Sequence, residues 1–232
     1  MTHNNHSTTF QVEEEIGAQA LWNAFAKTPG VGVCVVTPEG GVLFASEECQ
    51  RIYLGETNPN VVGMNIGDIF PQGWAEERKS YYRRVVESRQ PLTIREVWNG
   101  RQLRTTLRPI IDENGDINML LGLSQLTPSQ NPGDVEHDLV ESEFIELGEL
   151  HVLTPRELVV MALVGQGLSL KEIAAKLHRS FKTVDNHRAS IGRKLRQTDR
   201  VALARIAAQA GLQVSDAELT RVRMSDMKAA AK

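Results

Sequence analysis

The chain has 232 residues, of which 41% are hydrophobic and 24% charged, and its formal net charge is -3. These values are ordinary for a soluble globular protein and exclude a chain that is basic throughout. Residues 1–12 are polar and the longest apolar run spans only residues 158–164. We therefore expect no secretory signal, no membrane span and a cytoplasmic location. Cys34 and Cys49 match no zinc motif and are expected to be reduced core residues.

The N-terminal half alternates between helical and extended patterns. Residues 1–12 are predicted to form a disordered tail, and residues 13–27 have the apolar spacing of a helix. VGVCVVT and GVLFAS flank a Pro-Glu-Gly-Gly turn and predict a hairpin, which helical stretches at residues 47–54 and 74–89 follow. Three further strand candidates are separated by Gly-containing turns and span residues 92–98, 102–110 and 117–125. This order predicts an α+β domain over residues 13–127, built on an antiparallel five-stranded sheet.

Three phrases of this half carry a family resemblance: TPEGGVLFAS, VVGMNIGDIFP and NGRQLRTTLRPIIDENGDINMLLGLSQLT. In this order they resemble a PAS sensor domain over residues 21–127. The resemblance implies a domain that senses a signal or mediates dimerisation. Two departures from the family pattern stand out: Ser46 occupies a position where Asn is frequent, and the closing tripeptide, residues 125–127, lacks its usual Asp. Because that Asp couples many PAS domains to the next domain of the chain, the signalling route of this protein is left open.

PAS cavities hold haem, flavin, small metabolites or nothing. Residues 21–127 contain no histidine and no Asn-Cys-Arg-Phe flavin-adduct motif, so we expect neither His-ligated haem nor a cysteinyl-flavin adduct. The aromatic residues Trp74, Tyr81, Tyr82 and Trp98 either line a pocket or pack in the core. We expect no cofactor and no metal, with an unidentified small-molecule ligand as the alternative. No catalytic constellation is found, so an enzyme is not expected.

Residues 128–148 are predicted to be a linker with helical potential. Turn formers occupy residues 128–133, and no Lys or Arg opposes the acids between residues 135 and 150. The apolar residues permit one apolar side of a helix, and they are Val135, Leu139, Val140, Phe144, Ile145, Leu147 and Leu150. Such a helix would pair with a second copy of the chain, whereas a solvated tether would pair with nothing. The sequence leaves both alternatives open.

Residues 149–212 contain closely spaced helical patterns and the local basic patch that phosphate binding requires. From residue 151 to residue 212 there are eleven Lys or Arg and only four acids. Thr154 and Glu157 form a predicted capping box, and Ser169 and Ser180 are predicted to cap the next two helices. On the third helix the predicted inner stripe is Val184, Ile191 and Leu195. The opposite stripe is Lys182, Asp185, Asn186, Ala189 and Arg193.

The phrases LTPRE, KEIAAKL, SFKTVDNH and IGRKL occur in order in this region. They resemble the DNA-binding domain of LuxR/FixJ-type regulators, an all-α four-helix helix-turn-helix domain. The resemblance implies groove-facing residues, which are Lys182, Asp185, Asn186 and Ala189. It also implies phosphate contacts, which are Lys171, Thr183, Arg193 and Lys194. Because Asp185 accepts from cytosine but repels phosphate, we expect a target sequence that differs from those of relatives.

Residues 200–210 resemble the dimer-forming fourth helix of that family, although simple packing on the first three helices is the alternative. Residues 213–232 form an extension without a motif. The sequence thus predicts a sequence-specific, DNA-binding transcriptional regulator controlled by its PAS domain. We expect a homodimer through the PAS domain, the linker helix or residues 200–210, with RNA polymerase as a further partner. The alternative is a protein-interaction module whose helix-turn-helix contacts proteins instead of DNA.

Overall fold

The computed structural model describes residues 17–55, 60–126, 138–197 and 199–223. The predicted tail at residues 1–12, the turn formers at residues 128–133 and the end of the extension lie outside the described residues. The predicted N-terminal helix is present as α1 (Ala18–Ala26). Within the described ranges, no helix combines the length and apolarity needed to span a membrane.

The first domain consists of strands and short helices in the predicted order. They are β1 (Val31–Val36), β2 (Val42–Ala45), α2 (Glu47–Leu54), α3 (Ile66–Ile69), α4 (Gln72–Ser88), β3 (Leu92–Trp98), β4 (Arg101–Ile110) and β5 (Met119–Leu126). Ser46 caps α2, since its hydroxyl accepts a hydrogen bond from the Cys49 amide at 3.2 Å. Asn99 and Gly100 both adopt positive φ angles, which closes the tight turn between β3 and β4.

The sheet confirms the predicted fold class and corrects its strand count. Among the described residues it has six strands in the order β2-β1-β5-β4-β3-β6, and the added strand is β6 (Asp138–Glu141). β6 pairs in parallel with β3, whereas the other neighbours pair antiparallel. The acidic sequence of β6 concealed this strand, because an exposed edge strand needs no apolar alternation.

Of the linker, residues 128–148, the structure describes residues 138–148, and these form neither of the two alternatives left open, an apolar-sided helix or a solvated tether. β6, β7 (Phe144–Glu146) and a 3-10 helix (Gly148–Val152) occupy this part instead. Ile145 and Leu147 are 1% and 0% exposed, and both pack in the core of the second domain. Their separation by two residues is the strand period, which here prevails over the helical spacing of the other apolar residues.

The second domain contains four helices in the described ranges: α5 (Pro155–Gly165), α6 (Leu170–Lys176), α7 (Phe181–Lys194) and α8 (Arg200–Ala210). The predicted caps are confirmed. The Thr154 and Ser169 hydroxyls accept from the amides of Glu157 and Glu172, and each Glu reaches back to complete a capping box. The Ser180 hydroxyl accepts from the Thr183 amide at 3.1 Å and begins α7.

Helices α5 and α8 approach closely at Gly165. A Cβ at this position would lie 2.6 Å from the carbonyl oxygen of Ala207. We expect Gly165→Ala to lower the free energy of unfolding by about 1–3 kcal/mol, because one backbone must move away from the other. Urea unfolding followed by circular dichroism measures the change. Gly67→Ala is the control, since its Cβ would meet only the Asn65 and Lys79 side chains, at 3.3 and 3.5 Å. Equal losses in both variants would contradict the close approach.

Candidate nucleic-acid interface

Helix α7 presents one buried stripe to the domain core. Val184 and Ile191 are 0% and 2% exposed, and Leu195 at the C-cap is half-buried. Gly192 is buried as well, and a Cβ there would lie 2.7 Å from the carbonyl oxygen of Gln197. The predicted inner stripe is therefore confirmed. This stripe fixes the rotation of the helix about its axis, because the helix buries these residues only when this face points to the core.

The opposite side of α7 faces outward. Lys182, Asn186, Ala189 and Arg193 are all exposed, while Asp185 and Thr183 are half-buried. The structure thus places seven of the eight predicted site residues on one helix. The eighth, Lys171, is exposed in the first turn of α6, the preceding helix. A ridge of Lys, Asn and Arg side chains carries hydrogen-bond donors of the kind that bind phosphates and base edges.

Asp185 has a cationic partner that the sequence interpretation missed. The guanidinium of Arg188 donates from Nε and Nη2 to Asp185 Oδ1 at 3.1 and 3.0 Å. The Asp185 side chain is 42% exposed and the Arg188 side chain 33%, so this is a surface ion pair and contributes little to stability. Arg188 nevertheless offsets the acid's charge on the outward face. The repulsion of phosphate by Asp185 is therefore smaller than the isolated acid implies.

Glu157 anchors α7 to the start of α5. Its carboxylate accepts from Lys194 Nζ at 2.6 Å and from Ser190 Oγ at 2.7 Å, both on α7. The Thr154 amide also donates to it, at 2.7 Å. Burial raises the pKa of Glu157, but the hydrogen bonds from Lys194, Thr154 and Ser190 outweigh burial and lower the pKa to about 2. The carboxylate is consequently charged at every physiological pH.

This contact changes the interpretation of Lys194, a predicted phosphate ligand. Its ammonium lies on Glu157 and its side chain is 33% exposed. Lys194 therefore ties the C-terminal end of α7 to the start of α5. The signal for Glu157 in the sequence was only its capping box, because Ser190 and Lys194 lie more than thirty residues further along the chain.

Helix α8 is buried on one side and exposed on the other. Leu203, Ala207 and Ala210 pack in the core, at 4%, 0% and 0% exposure. Val201 is 74% exposed, and Arg205 and Ala208 on the same side are exposed too. The helix thus packs on its own domain and still presents a free face, so the two alternatives given for residues 200–210 are compatible.

The first domain has a partly open cavity of about 70 Å³ between the sheet and helices α2 to α4. A single water needs roughly 10–15 Å³ of such space, so the cavity has room for more than one. Trp74 and Tyr82 line the cavity, whereas Trp98 packs beside it in the same apolar core. The thiols of Cys34 and Cys49 are free and also line it. The aromatic residues therefore serve both as core and, in part, as cavity wall.

A buried polar network, centred on Glu96, forms part of the wall of this cavity through Tyr53, Trp74, Arg78 and Thr105. Arg78 Nη2 donates to Glu96 Oε2, which also accepts from Trp74 Nε1 at 3.3 Å. The Tyr53 hydroxyl donates to Glu96 Oε1 at 3.1 Å and meets the Thr105 hydroxyl at 2.8 Å. Burial, followed by the charge of Glu96, raises the pKa of Tyr53 well above its ordinary value. These groups give an otherwise apolar cavity a few fixed hydrogen-bonding sites, as small-molecule sites have. Fold and site define a class, the two-domain proteins with a PAS-like sensor domain and a helix-turn-helix.

Comparison with protein families agrees with both resemblances. Residues 151–207 match the family of bacterial regulatory proteins named luxR, and residues 29–127 match the PAS fold. The second domain is therefore similar to the luxR family of bacterial regulatory proteins, and the first domain is similar to the PAS fold. The predicted family resemblances are confirmed.

Two curated relatives match a part of the chain. The response regulator RamR of Streptomyces coelicolor is 48% identical over 59 residues, which is 25% of this chain and 29% of that protein. The transcriptional regulatory protein LnrK of Bacillus subtilis is 41% identical over 73 residues, 32% of this chain and 33% of that protein. This chain thus spans about a third of the length of each relative.

Two solved structures of VqmA align with most of this chain. The first, bound to DPO, is 16% identical over 88% of this chain and 94% of that chain, with a TM-score of 0.44. The second, a Vibrio VqmA–ligand–DNA complex, is 18% identical over 90% of each chain, with a TM-score of 0.46.

Proposed function

We propose that the protein is a sequence-specific DNA-binding regulator of transcription that inserts α7 into the major groove. The observation that carries this proposal is the outward ridge of Lys182, Asn186, Ala189 and Arg193 on a helix whose opposite stripe is buried. This ridge begins at the N-terminal end of the second helix of a helix-turn-helix, which is the part of such a helix that contacts base edges in the major groove. The match of residues 151–207 to the luxR family of bacterial regulatory proteins supports the same function.

Within this proposal each site residue has a role. Lys182 and Asn186 read base edges, Ala189 allows close approach to a base, and Asp185 accepts from cytosine while Arg188 offsets its charge. Contacts to phosphate come from Lys171, Thr183 and Arg193. Lys194 acts mainly through Glu157, which keeps α7 in position. RNA polymerase is the partner that such a regulator would address.

The regulator acts as a homodimer in this proposal. The exposed face of α8, with Val201, Arg205 and Ala208, offers one contact between two copies, and the PAS domain offers another. Two-fold symmetry then implies a palindromic target with half-sites about one DNA turn apart. The cavity lined by Tyr53, Arg78 and Thr105 is the place where a small ligand would act on the PAS domain.

Selection from random DNA, followed by titrations at several salt concentrations, tests the function. We expect a defined palindrome and an affinity that falls steeply with salt, because phosphate contacts release counterions. Asn186→Ala should cost about 1–3 kcal/mol at one base position and relax preference there, whereas Arg193→Ala should weaken all sequences alike and reduce the salt slope by about 1.

Lys27→Ala is the matched control, since it removes an exposed cation of the first domain. It should leave both affinity and salt slope unchanged. If no sequence is enriched and the wild-type protein shows no salt-dependent binding, the alternative applies and the helix-turn-helix serves protein contacts. Equal effects of Asn186→Ala and Arg193→Ala on every sequence would overturn the assignment of roles.

A further inference from the structure

The extension after α8 touches both domains. Residues 213–222 contain a 3-10 helix (Val214–Glu218) and β8 (Thr220–Val222), and we call this segment the clamp. β8 pairs in parallel with β7, and the Thr220 amide donates to the Glu143 carbonyl at 2.9 Å. Val222 is 6% exposed in the PAS core, whereas Ala217 is 8% exposed in the core of the second domain. One short segment is thus buried in two cores.

A buried ion pair fastens the clamp to the PAS sheet. Arg95 on β3 donates from Nη1 to Asp216 Oδ1 and from Nη2 to Asp216 Oδ2, both at 2.9 Å. Arg95 Nη2 also donates to the carbonyl of Gly211, where α8 ends, at 3.0 Å. The two side chains are 4% and 1% exposed. Such a two-pronged pair fixes orientation as well as distance, because both donor–acceptor lines must align at once.

Further hydrogen bonds tie the clamp to the beginning of the second domain. Arg221 Nη1 donates to the Leu153 carbonyl at 2.8 Å, just before α5. The Gln213 amide donates to Asp216 Oδ2 at 2.7 Å, which holds the carboxylate in its pose towards Arg95. The clamp is therefore connected to β3, to β7 and to the start and end of the helical domain. Rotation of that domain against the sheet would break several of these contacts together.

We propose that the clamp holds the helix-turn-helix domain in one orientation on the PAS sheet, with Arg95 and Asp216 as its positioning pair. In a dimer this orientation determines the distance between the two reading helices, and hence which half-site spacing the protein accepts. The inference rests on the proposed function, since spacing matters only if α7 reads DNA. Arg95 and Asp216 touch no DNA; they act by positioning α7.

The test uses the full chain with Asp216→Asn, which keeps the shape of the side chain and removes its charge. Half-sites obtained by selection are arranged as inverted repeats whose spacer varies one base pair at a time. The wild-type protein should prefer one narrow spacing, and Asp216→Asn should lose this preference by at least about fivefold. Affinity for a single half-site should stay the same in both, because the reading face is untouched. Asp138→Asn, which removes an exposed carboxylate paired with Arg84, is the matched control and should keep the narrow preference.

A second readout needs no DNA. Small-angle X-ray scattering should show a larger radius of gyration for Asp216→Asn than for the wild type and for Asp138→Asn. Thr220→Pro provides an independent variant, since it removes the amide that donates to Glu143 and leaves the ion pair in place. Like Asp216→Asn, it should broaden the spacing preference and increase the radius of gyration. This variant keeps the test open if Asp216→Asn does not fold.

The outcomes separate the two proposals. If the wild-type protein binds no DNA while the scattering changes as expected, the proposed function fails and the clamp stands as a structural fastening. Narrow spacing and unchanged scattering in both variants would overturn the clamp and leave the proposed function intact. The charge-exchanged double variant Arg95→Asp with Asp216→Arg should recover part of the narrow preference, and a merely structural role of Asp216 would not produce this recovery.

Discussion

Arg78→Met is expected to lower the free energy of unfolding of the PAS domain by about 3–5 kcal/mol, because it leaves the carboxylate of Glu96 buried without its cation. The two side chains are 3% and 0% exposed. Arg78 also lies over the Trp74 ring, 4.5 Å from its centroid, so the substitution removes a cation–π contact as well. Denaturant unfolding followed by tryptophan fluorescence measures the loss, since Trp74 and Trp98 are in the same core.

Two companion variants test the cause of this loss. Adding Glu96→Gln to Arg78→Met should recover part of the stability, since no unpaired charge is then buried. Arg51→Met is the control, because the Arg51–Glu48 pair is a surface pair with 53% and 20% exposed side chains. It should cost less than about 1 kcal/mol. A loss in Arg78→Met no greater than in Arg51→Met would show that Glu96 needs no cation.

Glu157→Gln is expected to destabilise the second domain at pH 7 and to remove a pH dependence that the wild type has. The folded pKa of Glu157 is about 2 and its ordinary value is 4.5. Its contribution, on the order of 1–3 kcal/mol, is complete above pH 4.5 and is lost as the pH falls towards 2. The measurement is urea unfolding at a series of pH values between 7 and about 2, where the wild-type and variant curves should converge.

Glu172→Gln serves as the control for that experiment. Glu172 takes part in the second capping box, and its pKa is lowered by hydrogen bonds from Ser169 alone, at an exposed position. It should therefore change stability less than Glu157→Gln. The Glu157 variant should also bind DNA more weakly, because Gln offers only one acceptor oxygen to Ser190, Lys194 and the Thr154 amide, and lacks the charge that attracts Lys194. Parallel pH profiles of wild type and Glu157→Gln would contradict the anchoring role.

The parts of the fold that follow local rules could be predicted from the sequence. The inner stripe of α7 depends on residues three, four and seven apart, and the capping boxes depend on residues three apart. Burial of Val184 and Ile191 and the caps at Thr154, Ser169 and Ser180 confirm this. The PAS hairpins were equally local, because Gly-rich and Asn-Gly turns mark them. Exposure of the outward ridge followed from the same periodicity.

Non-local contacts could not be predicted in this way. Arg95 and Asp216 are 121 residues apart in the sequence. From the sequence alone, an Arg followed by a Glu in β3 indicates a solvent-exposed strand, because nothing local shows that the second domain covers one of its faces. β7 forms a strand because it pairs with β8, which lies in the C-terminal extension. No structure was predicted for that extension from the sequence, so the helical spacing of the apolar residues around β7 suggested a helix instead. Glu157 and Lys194 meet only because α5 and α7 pack against each other. In each case tertiary packing decided, and local pattern did not.

The shared burial of β3 has a consequence for the modularity of the protein. Leu92, Ile94 and Trp98 of this strand lie in the PAS core, while Val97 lies in the core of the helical domain, and Val222 lies in the PAS core in return. Each domain thus completes the interior of the other. Grafting this helix-turn-helix onto a different sensor would expose Val222 and leave Asp216 without Arg95. An isolated PAS domain would expose Val97. Exchange of either module would therefore require compensating changes in the other.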